Sequence, residues 1–128
     1  MKIGSRLIAG LLSLLATSVV AQSIPAGSAD GAILRGLDKV SGEVRDIALK
    51  SGATAKLGNL NVTLGECRFP LANPAGDAYA YLEVTSDLSQ DTVFAGWMIA
   101  SSPALNPLDH ARFDVWVLRC AMAETSGQ

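Results

Sequence analysis

The chain has 128 residues, a length that fits one domain with a modest core and excludes two domains of ordinary size. Ten lysine and arginine residues against twelve acidic residues give a net charge of −2, and the basic residues form no run or patch. This charge pattern argues against nucleic acid or an anionic membrane surface as a partner.

Residues 1–21 have the pattern of a secretory signal peptide. Two basic residues precede an apolar run from Leu7 to Val20, and the small residues up to Ala21 suit signal peptidase, with cleavage expected before Gln22. An uncleaved anchor is the alternative, although the run is shorter than the ~20 residues of a spanning helix. We therefore expect a periplasmic or secreted protein that is soluble after cleavage, without stable membrane insertion.

The two cysteines, Cys67 and Cys120, are an even number in a chain expected to leave the cytosol, which favours one disulfide. Buried free thiols are the alternative. Glu66 and Arg119 each adjoin a cysteine, so the disulfide is expected to bring them into an ion pair. Two cysteines and a single histidine form no ligand cluster at a spacing typical of metal sites, and we expect no metal ion and no cofactor.

Residues 32–122 are predicted to form one all-β domain, between a flexible leader (residues 22–31) and a disordered tail (residues 123–128). Short alternating stretches separated by turn residues are typical of antiparallel strands. The predicted strands are residues 32–37, 44–49, 53–57, 60–69, 78–85, 92–100 and 113–121. This pattern predicts a single small antiparallel β-sandwich or barrel-like domain with one disulfide.

A β-bulge is expected at Gly65, inside the predicted strand 60–69. Leu60 and Leu64 share one face of this strand with the valine between them, and strict alternation would then place Cys67 on the polar face. One extra residue at Gly65 would shift the register and turn the cysteine inward.

Both tryptophans are predicted to lie in the core. Trp97 belongs to a nearly continuous apolar run, residues 92–100, which predicts a strand covered on both faces. In the last strand, Trp116, Leu118 and Cys120 are predicted to share one face. Exposure of either tryptophan would instead favour a surface that stacks on sugar rings.

Five stretches spread across the predicted domain form a recognisable set: A-I-L-R-G-L-D-K-V-S-G (32–42), E-C-R-F-P (66–70), N-P-A-G-D-A-Y-A (73–80), G-W-M-I-A-S-S-P-A-L (96–105) and D-V-W-V-L-R-C (114–120). In these residues the chain resembles a family of small exported alphaproteobacterial proteins, the domain of unknown function DUF2155. The resemblance implies an envelope location and a compact β domain. It implies no activity, and it supplies no catalytic residues.

A small hydrolase is one function that the residues around position 105 suggest. Two serines, a histidine and two aspartates lie within fourteen residues: Ser101, Ser102, Asp109, His110 and Asp114. A serine nucleophile needs a base and an orienting carboxylate. However, no strand–turn–helix elbow surrounds either serine. We expect these side chains to bond the loop backbone instead, and we expect no enzymatic activity.

The leading hypothesis is a non-enzymatic module of the cell envelope that binds another protein of the envelope. Aromatic residues on an outward strand face and the loop before the last strand are the expected binding surfaces. The candidate binding residues are Tyr79, Tyr81, Asn106, Asp109, His110 and Arg112. Packing of the two tyrosines against a neighbouring strand is the alternative. The second hypothesis is a carbohydrate-binding module for a cell-wall polymer, and the hydrolase comes third.

Overall fold

The computed structural model describes residues 4, 15–20 and 23–123, and this part of the chain forms eight β-strands and no helix. The strands are β1 (Ala26–Ala29), β2 (Gly31–Asp38), β3 (Val44–Lys50), β4 (Thr54–Leu57), β5 (Leu60–Pro70), β6 (Tyr79–Ser86), β7 (Thr92–Ile99) and β8 (Phe113–Ala121). The all-β prediction is confirmed, and the seven predicted strands agree with β2 to β8 within one residue. The cleavage site after Ala21, most of the predicted signal peptide and residues 124–128 lie outside the described residues.

Two antiparallel sheets pack face to face, so the domain is a sandwich. In the five-stranded sheet, β5, β6 and β7 follow one another, while β4 and β1 pair with the two ends of the other side of β5. The three-stranded sheet has the order β3-β2-β8. The largest fully buried side chains come from the inner faces of both sheets: Leu34, Leu60, Leu64, Leu82, Val62, Val84, Val115, Val117 and Cys67. Described residues contain no helix long and apolar enough to cross a membrane.

The prediction that residues 22–31 form a flexible leader is corrected, because this segment contains an ordered strand. Residues Ala26–Ala29 form β1, whose backbone pairs with Cys67–Pro70 at the end of β5. The residues of β1 are all small and show no alternating pattern, so the sequence gave no signal for a strand here. The strand forms through backbone hydrogen bonds to the edge of β5, which require no particular side chains. Gly27 permits the close approach of Phe69, whose Cζ atom would lie 2.6 Å from a Cβ atom at that position.

The predicted β-bulge at Gly65 is confirmed. Leu64 pairs with Leu82 and Glu66 pairs with Tyr81, so Gly65 is the extra residue between two consecutive pairs. Alternation therefore restarts after Gly65, and Cys67 is fully buried.

The inward face of β8 differs from the prediction. Val115 and Val117 are buried, whereas Trp116 is half-buried on the outer face, opposite Arg35 of β2. A second register shift explains the difference, because Leu34 pairs with Val117 and Ile33 pairs with Arg119. The skipped residue, Leu118, breaks the alternation that would have placed Trp116 and Cys120 on one face.

The two bulges bring the cysteines of opposite sheets together. Cys67 and Cys120 form the predicted disulfide, with Cα atoms 5.6 Å apart. The expected ion pair between Glu66 and Arg119 is not formed, because residues flanking two inward-facing cysteines point away from the core on opposite outer faces. Glu66 pairs instead with Arg68 two residues along its own strand, at 3.3 Å.

The prediction that β7 is covered on both faces is wrong. β7 lies at the end of the five-stranded sheet, and Trp97 is 40% exposed on the outer face. Met98 faces the core and is buried, and Phe94 packs against the core from the same side. The apolar residues of β7 therefore alternate between an inner face that packs on the core and an outer face that is open to solvent.

Removing the disulfide should strongly destabilise the sandwich. The cross-link joins residues 53 apart, and for a loop of that length the chain-entropy estimate is about 4 kcal/mol of unfolding free energy. We expect Cys67→Ala/Cys120→Ala to lose about that amount in urea unfolding monitored by tryptophan fluorescence. A reductant should lower the wild-type midpoint and leave that of the double variant unchanged. Equal midpoints for the two proteins without reductant would show that the disulfide contributes nothing.

A methyl group at Gly58 should cost more stability than one at Gly42. Both glycines have positive φ, 57° and 78°, so alanine strains the backbone by roughly 1 kcal/mol at either position. A Cβ atom at Gly58 would also overlap the ring of buried Phe113, whereas a Cβ atom at Gly42 meets nothing within 4 Å. We expect urea unfolding to give a loss for Gly58→Ala that exceeds the loss for Gly42→Ala by about 1–3 kcal/mol. Equal losses would mean that the turn moves away from Phe113 freely.

Candidate interaction surface

Tyr79 and Tyr81 lie on the outer face of the five-stranded sheet, as predicted from their alternation in β6. Side chains directly opposite each other in an antiparallel pair share a face. The pairing of β6 with β7 sets Tyr79 opposite Ile99 and Tyr81 opposite Trp97. All four side chains therefore belong to one surface, which we call the aromatic face.

Tyr81 and Trp97 form an edge-to-face pair at the centre of the aromatic face. Their ring centroids are 5.4 Å apart and their planes are inclined at 69°, an arrangement that aromatic rings favour. The Gly65 bulge makes room for this pair, since a Cβ atom at Gly65 would lie 3.0 Å from the Tyr81 ring. Tyr81 thus packs on the next strand, as the alternative for the tyrosines expected, while Trp97 stays partly open to solvent.

Charged residues border the aromatic face on its β5 side. Arg68 and Glu66 form an ion pair there, opposite Tyr79 and Tyr81 respectively. Glu83 continues the β6 row beyond Tyr81 and is exposed. On the β7 side no charged residue follows, since the strand reads T-V-F-A-G-W-M-I.

Asn106 joins the loop between β7 and β8 to the backbone edge of β7. Its Nδ2 atom donates a hydrogen bond to the Trp97 carbonyl oxygen at 3.1 Å. The loop is held in place by Leu108, which is buried against the core. Of the predicted loop residues, Asn106 is therefore the one that the fold binds to β7, at the backbone of Trp97.

His110 and Arg112 lie in a second place, at the end of the sandwich beside the β2–β3 turn. The His110 Nδ1 atom accepts hydrogen bonds from the backbone N–H groups of Arg112 and Phe113, both at 3.1 Å. The imidazole also stacks on the Phe113 ring at a centroid distance of 5.7 Å. Asp109 is exposed nearby and makes no side-chain hydrogen bond within residues 23–123. Through these contacts His110 stabilises the conformation of the loop before β8.

Arg112 binds the carboxylate of Asp38 and so ties the loop to the β2–β3 turn. Arg112 Nη2 lies 2.9 Å from Asp38 Oδ2, and its Nε atom lies within 3.3 Å of both carboxylate oxygens. The Arg112 guanidinium, with backbone N–H donors from Val40 and Ser41, holds the pKa of Asp38 far below its usual range. The same ion pair raises the pKa of Arg112.

A cleft of about 800 Å³ opens beside this ion pair. Its walls include Leu57, Phe113 and the charged side chains of Arg45 and Lys56. Asn59 also lines the cleft, and its buried Oδ1 atom has no hydrogen-bond partner among the described residues. The local sequence gave no signal for this cleft, because its lining residues come from separate strands and turns between Gly36 and Phe113.

Two residues of the hydrolase hypothesis, Ser101 and His110, are engaged in other contacts. The Ser101 hydroxyl donates to Asp77 Oδ2 at 2.7 Å, and the Ser101 backbone N–H donates to Asp77 Oδ1 at 3.0 Å. His110 uses its Nδ1 atom for backbone donors, as described above. Within residues 23–123 no hydrogen bond joins a serine hydroxyl to the imidazole.

The Asp38–Arg112 pair should make stability depend on pH in acid. A carboxylate whose pKa is lowered by folding stabilises the native state above its unfolded pKa of about 3.9, and this contribution is lost as the pH falls below that value. We expect Asp38→Asn to lower the urea midpoint at pH 7 and the difference from wild type to shrink below about pH 4. Asp109→Asn, which removes no hydrogen bond, is the matched control. If the difference in urea midpoint between wild type and Asp38→Asn stayed constant from pH 7 to pH 3, it would contradict the lowered pKa of Asp38.

Comparison with known proteins gives a family and no activity. A family described as an uncharacterized protein conserved in bacteria (DUF2155) matches residues 32–120, which includes every strand from β2 to nearly the end of β8. A curated relative, "Uncharacterized protein RP359" of Rickettsia prowazekii (strain Madrid E), is 28% identical over 87 residues. That match covers 66% of this chain and 56% of the relative, so the chain spans little more than half of the relative's length. No solved structure matches. Because the family match extends over most of the chain, this protein belongs to the DUF2155 family.

Proposed function

We propose that the protein is an exported, non-enzymatic module of the cell envelope that binds another protein through its aromatic face. The observation that carries the proposal is the Tyr81–Trp97 pair, which stands open to solvent on the outer face of a rigid sheet. Tryptophan and tyrosine are among the residues enriched in the binding hot spots of protein interfaces. Burial of these rings by a partner would release apolar surface from water.

The distribution of charge supports a protein partner. Interfaces commonly have an apolar centre depleted of charge and a polar rim. The centre here is formed by Tyr81, Trp97 and Ile99, and the Glu66–Arg68 ion pair stands at its border. A partner could cover the centre without removing an unpaired charge from water.

Two further observations support export. The N-terminal sequence has the charge and apolar pattern of a signal peptide, with a small-residue cleavage motif at Ala21. The Cys67–Cys120 disulfide suits an oxidising compartment, whereas cytosolic thiols are kept reduced.

Carbohydrate binding is the second candidate, because an exposed Trp97 could stack on a sugar ring. The geometry of the pair supports it less well. Stacking on a polymer uses rings that lie flat along one plane, but the planes of Tyr81 and Trp97 are inclined at 69°. One ring of the pair could stack on a sugar while the other presents its edge.

Replacing Trp97 should abolish capture of the partner. In a pull-down from envelope extract we expect the wild-type protein to retain one protein that Trp97→Ala loses, with a loss of affinity of at least tenfold. Trp116→Ala is the matched control, because this variant also removes an indole from an outer sheet face, but on the opposite sheet. The captured protein is then identified and its affinity measured with the purified pair.

The same variants distinguish the two candidates. If cell-wall sacculi, free of protein, sediment with the wild type and with Trp116→Ala but not with Trp97→Ala, the ligand is a carbohydrate and the protein-binding proposal is wrong. If Trp116→Ala loses the captured protein while Trp97→Ala retains it, the aromatic face is the wrong surface.

A further inference from the structure

The cleft beside the Asp38–Arg112 ion pair opens between the two sheets, at one end of the core. In β3, Ile47 and Leu49 face the core and are buried, and strand alternation places Arg45 on the same inner face. Arg45 lines the cleft together with Glu43, which lies one residue before β3. Charged side chains therefore stand at the cleft, next to the inner face that apolar residues fill further along the strand.

Two of the charged groups that line the cleft have no oppositely charged partner. Arg112 and Lys56 are each bound by an aspartate. Within residues 23–123, neither Glu43 nor Arg45 belongs to an ion pair. The Arg45 guanidinium donates a hydrogen bond to the Lys56 carbonyl oxygen, which is an uncharged group. The cleft thus presents one carboxylate and one guanidinium whose charges are both uncompensated.

The same two-residue spacing produces an ion pair in the other sheet. Glu66 and Arg68 are also two residues apart, and their side chains pair at 3.3 Å. In the cleft, the bond to the Lys56 carbonyl holds the Arg45 guanidinium against β4 instead of against Glu43. The two opposite charges are therefore kept apart on one wall, where each can bind a group of a ligand.

Apolar side chains form much of the remaining lining of the cleft. Leu57 and Phe113 line it and belong to the core. Leu88, in the turn between β6 and β7, lines it as well and is 82% exposed. Sites for small molecules typically combine apolar walls with a few polar groups that fix the orientation of the ligand, and their volumes include the 800 Å³ of this cleft.

We propose that the cleft binds a small zwitterion with an apolar body, which is the chemistry of an apolar amino acid or of a short apolar peptide with both ends unblocked. The carboxylate of the ligand binds the Arg45 guanidinium, and its ammonium group binds the Glu43 carboxylate. The apolar body lies against Leu57, Leu88 and Phe113. Hydrogen bonds between oppositely charged groups are the strong ones, and two of them at opposite ends fix the orientation of the ligand.

This inference does not rest on the function proposed above. None of the residues that line the cleft belongs to the aromatic face, and the ligand is a small molecule and not a protein. Loss of the zwitterion site would leave the Trp97 experiment unaffected, and loss of the protein partner would leave the cleft unaffected.

A titration of the wild-type protein tests the site without any substitution. The probes are L-leucine and leucyl-leucine, each added up to about 30 mM to ¹⁵N-labelled protein, because a ligand with so few atoms binds weakly. We expect saturable shifts of the amide signals of Leu57, Gly58 and Phe113, and no shift of the Trp97 indole signal. The tighter of the two probes shows whether the site takes an amino acid or a peptide. If neither probe gives saturable shifts at these amides, the proposal is wrong.

Blocked forms of the tighter probe assign each charge to its residue. Arg45→Gln should weaken binding of the unblocked probe at least about tenfold, but it should not change binding of the C-terminal amide, which has no carboxylate. Glu43→Gln should weaken binding of the unblocked probe to a similar extent, and it should not change binding of the N-acetyl form, which has no ammonium group. A variant that weakens the blocked and unblocked forms equally would overturn the assignment.

Arg119→Gln and Glu83→Gln are the matched controls. Both remove an exposed charge of the same kind from a strand, and neither residue lines the cleft. They should bind the unblocked probe as tightly as the wild type does. Equal losses in these controls would show that the net charge of the protein, and not the cleft, determines binding, and would overturn the proposal.

Discussion

Side-chain alternation along a β-strand allows only one residue in two to face the core, and the disulfide requires an exception in both sheets. Without the extra residue at Gly65, Cys67 would leave the inner face that Leu60 and Leu64 define. Without the extra residue at Leu118, Cys120 would lie outside while Val117 lies inside. The covalent link between the sheets therefore depends on two interruptions of the ladder, one in each sheet.

The first of these interruptions also shapes the aromatic face. Because Gly65 has no side chain, the Tyr81 ring lies over it and meets Trp97 edge to face. The register after the bulge sets Glu66 and Arg68 beside the two tyrosines. One glycine thus couples the position of a core cysteine to the geometry of a surface on the other side of the same sheet.

Much of the fold could be predicted because strand ends, turns and the Gly65 bulge have local causes. The Leu118 bulge could not, since no glycine marks it, and β1 carries no side-chain pattern. The exposure of Trp97 depends on β7 being the last strand of its sheet, which is a property of strand order and not of the run itself. The path of the loop likewise decided that Asn106 binds the edge of β7 while His110 lies at the end of the sandwich.

The position of β8 affects how the chain can fold during synthesis. β8 is the last strand in the sequence, yet it pairs along the whole of β2, and it carries Cys120. A chain that emerges from its N-terminus therefore exposes β2 with an open side until some 75 residues later have appeared. Such a topology delays closure of the core until the final segment of the domain has emerged.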